Sequence, residues 1–207
     1  MKTKVLLFIS LSLMASCTGK KTNENTSQEP KSDIALENTA SNANKETELT
    51  YPGTEISFKV KLADKSLYII PKGLSVSNDT LTHDITGYTF VNAEIGDLNI
   101  DGYPEIFVYL SSEGSGSYGK LIGYSTNNGK SVSQVYLPDI AENEKINKGY
   151  MGHDEMAIVE NTFCQRFPIY NTEDTNAKPT GGTRQIQYKM ENGESGRVLT
   201  VDKVIEF

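Results

Sequence analysis

Two neighbouring stretches carry the residue types from which a site could be built. The first is Asp97-Leu98-Asn99-Ile100-Asp101-Gly102-Tyr103-Pro104-Glu105. It sets oxygen side chains at alternate positions and a glycine where the chain must bend, the pattern a hard cation such as Ca²⁺ requires. The ligands would be Asp97, Asn99, Asp101, the carbonyl of Tyr103 and Glu105, and the cation's role would be structural, pinning the strand that begins at Glu105. It is not an EF-hand, since Val108 stands where that loop needs its bidentate Glu. It looks more like the acidic hairpin loops of β-propeller and integrin-type repeats, here in a single copy. A metal-free turn, with Asp and Asn bonding their own backbone, accounts for the same residues.

The second stretch is Glu113-Gly114-Ser115-Gly116-Ser117-Tyr118-Gly119-Lys120. Its glycines fit the dinucleotide-binding pattern and nearly fit a P-loop. Both motifs present a helix N-terminus to phosphate. The chain continues instead with Lys120-Leu121-Ile122-Gly123-Tyr124-Ser125, which alternates like a strand, and Leu121 stands where a P-loop needs Ser or Thr. Both nucleotide readings fail. The stretch is then a Gly/Ser loop with one aromatic between two strands. Its glycines let the backbone protrude and approach a partner, serine hydroxyls can donate to carboxylates, and Tyr118 is an amphipathic anchor. Such a finger suits a concave partner; a floppy hairpin tip is the plainer alternative.

The elements that position these stretches read as strands. Ile56, Phe58, Val60 and Leu62 alternate with polar residues, Glu105 to Leu110 is a dense β-branched and aromatic run, and 131–137, 184–189 and 198–201 alternate again. Asn127-Asn128-Gly129, Asn192-Gly193 and Asn78-Asp79 supply turns. Only Asp139 to Lys148 reads as a short helix. The expectation is an all-β fold: one antiparallel β-sandwich or partly open barrel over 51–207, with at most one or two short helices. Roughly 155 residues suffice for one core.

The N-terminal residues carry a different message. Lys2 and Lys4 precede an apolar run from Val5 to Met14, and small residues lead to Cys17. That layout is a secretory signal over 1–16. It resembles a bacterial lipoprotein signal, which implies acylation of Cys17, attachment to a membrane through lipid alone, and a place in the cell envelope facing the periplasm or the cell surface. Residues 17–50 are Lys, Asn, Thr, Ser and Glu with few apolar side chains, and read as a disordered linker. The chain has 20 basic and 27 acidic residues; residues 1–16 hold two lysines and no acid, so the mature chain has 18 against 27, or −9. Such a surface disfavours nucleic acid and favours cationic partners. With Cys17 lipidated, Cys164 is the remaining thiol; in Thr162-Phe163-Cys164-Gln165-Arg166-Phe167 it reads as a small buried residue.

Residues from about Asn92 to Pro138, with Gly149-Tyr150-Met151-Gly152-His153-Asp154-Glu155, Phe167-Pro168-Ile169-Tyr170 and Pro179-Thr180-Gly181-Gly182-Thr183-Arg184, resemble the bacterial periplasmic inhibitors of invertebrate-type (i-type) lysozyme. The strongest piece is Ser115-Gly116-Ser117-Tyr118 between strands. The resemblance implies a β-sandwich-like inhibitor, not an enzyme and sometimes a homodimer. Its protruding loop would enter the lysozyme cleft with Ser115 and Tyr118 as principal contacts, protecting peptidoglycan. The alternative is a Ca²⁺-dependent carbohydrate-binding or adhesion lipoprotein module. No nucleophile–base set specifies a hydrolase. His153-Asp154-Glu155 is expected to be a structural turn, and Arg184 a solvated hairpin end or a second partner contact.

Overall fold

The structure is a computed structural model that describes residues 45–207. The expected signal, the expected acylation site at Cys17 and most of the expected linker lie outside the described residues. Among the described residues twelve strands form two sheets. The first sheet is β1 (Glu46–Thr50), β2 (Ser57–Ala63), β3 (Ser66–Lys72) and β4 (Leu81–Asp84), in that order and antiparallel throughout. The second holds β5 (Tyr88–Gly96), β6 (Glu105–Ser112), β7 (Gly119–Thr126), β8 (Val132–Tyr136), β9 (Glu155–Val159), β10 (Thr162–Pro168), β11 (Thr183–Asn192) and β12 (Arg197–Glu206). Its order is β5-β6-β7-β8-β12-β11-β10-β9. The fold is all-β, as the alternation requires.

This second sheet curls into a nearly closed barrel. Its edge strands β5 and β9 come together where Ile158 N donates to the Glu94 carboxylate at 2.8 Å, and the Tyr109 hydroxyl donates to the same oxygen at 2.6 Å. A side chain lends the seam an acceptor that a backbone ladder would otherwise provide. Burial and the neighbouring Glu94 charge push the Tyr109 phenol well above its ordinary pKa, so it stays a donor.

Period two explains how one strand serves two cores. In β6, Ile106, Val108 and Leu110 face the four-stranded sheet and pack with Phe58, Val60 and Ile69. Phe107 and Tyr109 point into the barrel among Phe163, Phe167, Ile186, Tyr188 and Leu199. Every residue from Glu105 to Leu110 is buried. A strand covered on both faces reads as a continuous apolar run, which is what this segment is.

Three details depart from the sequence reading. Strand structure is already present before residue 51: β1 pairs with β2 from Glu46↔Lys61 to Thr50↔Ser57, and Glu46 and Glu48 meet Lys59 and Lys72. The short alternation of Thr47 and Leu49 is enough once a neighbouring strand supplies the ladder. The segment after Asp139 forms only a 3₁₀ turn at Ile140–Glu142, capped by the Asp139 carboxylate accepting from Ala141 N at 2.8 Å, before further turns. The barrel is also not wholly antiparallel, since β8 and β12 pair in parallel through Arg197↔Val135 and Val198↔Tyr136. The long β8–β9 connection permits that pairing, because the chain returns through β9 to β12 before closing on β8.

Candidate functional site

The Gly/Ser stretch closes the β6–β7 hairpin. Ser112 N donates to Tyr118 O at 2.8 Å, and the Ser112 hydroxyl accepts from Tyr118 N at 2.8 Å. Ser117 takes a left-handed φ of 42°, a conformation that costs a non-glycine residue energy. The tip is not a free finger. Gly116 O accepts from His153 N at 2.6 Å, and Ser115 O accepts from the Asn176 side-chain amide. Gly152 lies so close beneath that an added Cβ would strike the Gly116 carbonyl and the Tyr118 ring, and its own φ is +83°. Only glycine fits there.

The backbone of the tip is therefore tied down while its side chains stay available. Ser115 and Tyr118 are exposed, and Gly116 and Ser117 are half-buried. The Tyr118 ring is 48% exposed. Its inner edge meets Tyr150 at 5.7 Å between centroids, nearly perpendicular, and Tyr150 meets Phe167 in the same manner at 4.7 Å. These aromatic contacts run from the tip into the barrel core.

Asp154 is the hub beneath the loop. One carboxylate oxygen accepts from Gly119 N at 2.8 Å and from the Tyr150 hydroxyl at 2.7 Å, and the other accepts from the Gln165 side chain at 2.8 Å. Gln165 in turn accepts from the Tyr188 hydroxyl at 3.1 Å. Burial raises the Asp154 carboxyl above its usual range, opposed by those three donors. Burial and the Asp154 charge likewise raise the Tyr150 phenol. His153 adopts φ 58°, stacks on Tyr170 and meets Asn176 at 3.1 Å through Nε2. His153 and Asp154 thus serve structural roles beneath the loop, whereas Glu155 already belongs to β9, paired with Arg166, and is not part of a turn.

Arg184 is neither a solvated end nor exposed to a partner. It is 7% exposed, with Nη1 donating to Ile146 O at 2.6 Å and Lys148 O at 2.8 Å, and with Nε and Nη2 donating to the Glu206 carboxylate. The planar fork clamps the connection that leads to Gly149–His153, which a solvated side chain could not do. The segments 113–118, 149–154, 167–170 and 179–184 thus gather at one end of the barrel.

The acidic loop lies at the opposite ends of β5 and β6. Its oxygens serve its own backbone. Asp97 accepts from Asp101 N at 3.0 Å and Gly102 N at 2.9 Å, Asn99 from Asp101 N at 3.1 Å, and Asp101 from Tyr103 N at 2.9 Å. Glu105, fully buried, accepts from Leu98 N at 2.8 Å and the Ser125 hydroxyl at 2.9 Å. Among the described residues no three His, Cys, Asp or Glu side chains gather as a metal-ligand set. Burial pushes the Glu105 carboxyl up to about 7, with the Asp97 and Asp101 charges adding to the rise. Cys164 is buried, and burial raises its thiol pKa. No described helix is long and apolar enough to cross a membrane.

No family model, curated protein or solved structure matches the chain.

These networks set two expected outcomes. Asp154→Ala strands the Gly119 amide and the Tyr150 hydroxyl, which should cost about 1–3 kcal/mol in chemical denaturation and speed amide exchange at Gly119. The folded Glu105 carboxyl lies above its ordinary 4.5. Its contribution to stability is therefore full below about pH 4.5 and lost as pH rises through about 7. In chelator-treated protein, Glu105→Gln should flatten that slope. Ca²⁺ added at pH 8 raises the melting temperature where these oxygens turn to hold a cation, and leaves it unchanged where the hydrogen-bonded loop is the working form.

Proposed function

We propose that this chain is a lysozyme inhibitor: a lipid-tethered, cell-envelope protein whose Ser115–Tyr118 loop enters the active-site cleft of an i-type lysozyme. The observation that carries this reading is the division of labour in the loop. Its backbone is fixed from beneath by His153 and Asn176, while the side chains of Ser115 and Tyr118 face outward. A contact surface held in its bound form loses little entropy on association, which is where much binding free energy otherwise goes.

The chemistry fits a glycosidase target. Such an enzyme carries two carboxyl groups across the scissile bond. The Ser115 hydroxyl can donate to one of them, and the Tyr118 ring can lie where a sugar ring would. Occupation of the cleft excludes substrate with no chemistry by the inhibitor. The acidic balance of the chain suits a basic lysozyme and quickens encounter. Acylation at Cys17 would keep the inhibitor beside the peptidoglycan it protects.

Ser115→Ala and Tyr118→Ala should each weaken inhibition of i-type lysozyme by about 1–3 kcal/mol in a turbidity assay, with the circular dichroism of the free protein preserved. A double variant that inhibits as well as the parent would remove the loop from the mechanism.

A further inference from the structure

The hydrogen bonds at the hairpin's tip run in one direction. Ser117 N donates to Gly114 O at 3.3 Å, closing a four-residue turn with Ser115 and Gly116 at its centre. Ser115 O accepts from the Asn176 side chain, and Gly116 O accepts from His153 N. Three successive carbonyls are therefore taken inside the protein. Among the described residues the N–H groups of Ser115 and Gly116 have no hydrogen-bond partner, and neither do the Ser115 and Ser117 hydroxyls. A trans peptide sets its C=O and N–H on opposite sides. Asn176 draws the Ser115 carbonyl inward, so the Gly116 N–H of the same peptide points away from Asn176. What the tip leaves open is a set of donors.

Resting on the inhibitor reading, we propose that the Gly116 N–H and the Ser115 hydroxyl together receive one ionised carboxylate of the target glycosidase, with Asn176 as the positioning residue that sets the peptide plane. A carboxylate only accepts, so it fits a tip whose carbonyls are turned away. A Ser115–Gly116 peptide rotated by half a turn would present a carbonyl and repel it. Asn176 prevents that rotation through a closed tie. Its Nδ2 is committed to Ser115 O, so its Oδ1 faces His153 Nε2 at 3.1 Å, and His153 N returns to Gly116 O. The Tyr170 hydroxyl donates to the Asn176 carbonyl at 2.9 Å and holds the tie from below. The Tyr118 ring lies against Gly116, where an added Cβ would strike it, and screens the donors from water on that side. Of the charges in the hairpin, Lys120 is engaged over the Tyr88 ring, while Glu113 is exposed beside the turn and opposes a second carboxylate. The donors have to outweigh it.

Calorimetry of the intact inhibitor against an i-type lysozyme, and against two variants of that enzyme each with one catalytic carboxyl converted to its amide, tests this. The amide at the ionised carboxylate should raise Kd about tenfold, because a charge-assisted bond becomes a neutral one. Asn176→Ala should raise Kd about tenfold against the parent enzyme and remove most of its preference over that amide variant. Loss of stability alone would not remove the preference. Glu113→Gln should tighten binding about twofold at low salt; unchanged binding would place the carboxylate away from the turn. If Ser115→Ala and Tyr118→Ala weaken binding but all three lysozymes bind the parent inhibitor alike, the carboxylate contact is excluded and the loop mechanism stands. If those two loop variants bind as the parent does, both readings fall. If Asn176→Ala weakens binding yet still discriminates between the lysozymes, the peptide plane is not what Asn176 sets.

Discussion

The burial of β6 on both of its faces is the constraint from which the other features derive. Ile106, Val108 and Leu110 close the core beneath the four-stranded sheet, and Phe107 and Tyr109 close the barrel interior. The two cores share that wall, which β7 extends with Ile122 on one face and Leu121 on the other. A register slip of one residue would exchange these sets and present each core with the other's side chains. Register in this strand is thereby fixed twice. The acidic loop precedes it and the Ser/Gly/Tyr hairpin comes after it, so both candidate stretches inherit their positions from the same strand.

Rigidity passes from that wall to the loop by identifiable contacts. Tyr109 lies 6.2 Å from Phe163 in the barrel, while Phe167, Tyr150 and Tyr118 lead outward by edge-to-face contacts. Asp154 holds Gly119 where β7 begins, and Arg184 holds the connection on which Gly149–His153 rides. Positive φ at Ser117 and His153 places two strained residues against one another across the Gly116–His153 hydrogen bond. Strain of this kind persists only where the surroundings over-determine it. A tip fixed by so many partners suits a surface that binds without rearranging.

The parts of the fold governed by local pattern were legible in the sequence. The run at 105–110 reads as a strand because β-branched and aromatic residues crowd it, and Asn128-Gly129 reads as a turn because both adopt positive φ there, at 53° and 66°. Strand β5 is hidden because a bulge between Phe90 and Asn92 breaks its period. Strand β3 carries Pro71, tolerated because β4 pairs only as far as Ile69. The roles of Arg184 and Asp154 could not be read. Apart from the Tyr150 hydroxyl, four residues from Asp154, their partners lie 11 to 38 residues away in the chain, which spacing does not reveal. The only local signals were a Gly-Gly before Arg184 and a glycine before His153-Asp154, and both mark turns equally well.

One end of the barrel, built around a buttressed hairpin, is on this account the face that meets a lysozyme cleft. Hydrogen–deuterium exchange of the chain with and without a stoichiometric i-type lysozyme tests it most directly. The account predicts added protection at 112–120 and 149–154, with β1 to β4 unchanged. Protection over the four-stranded sheet with none at Ser115–Tyr118 would contradict it.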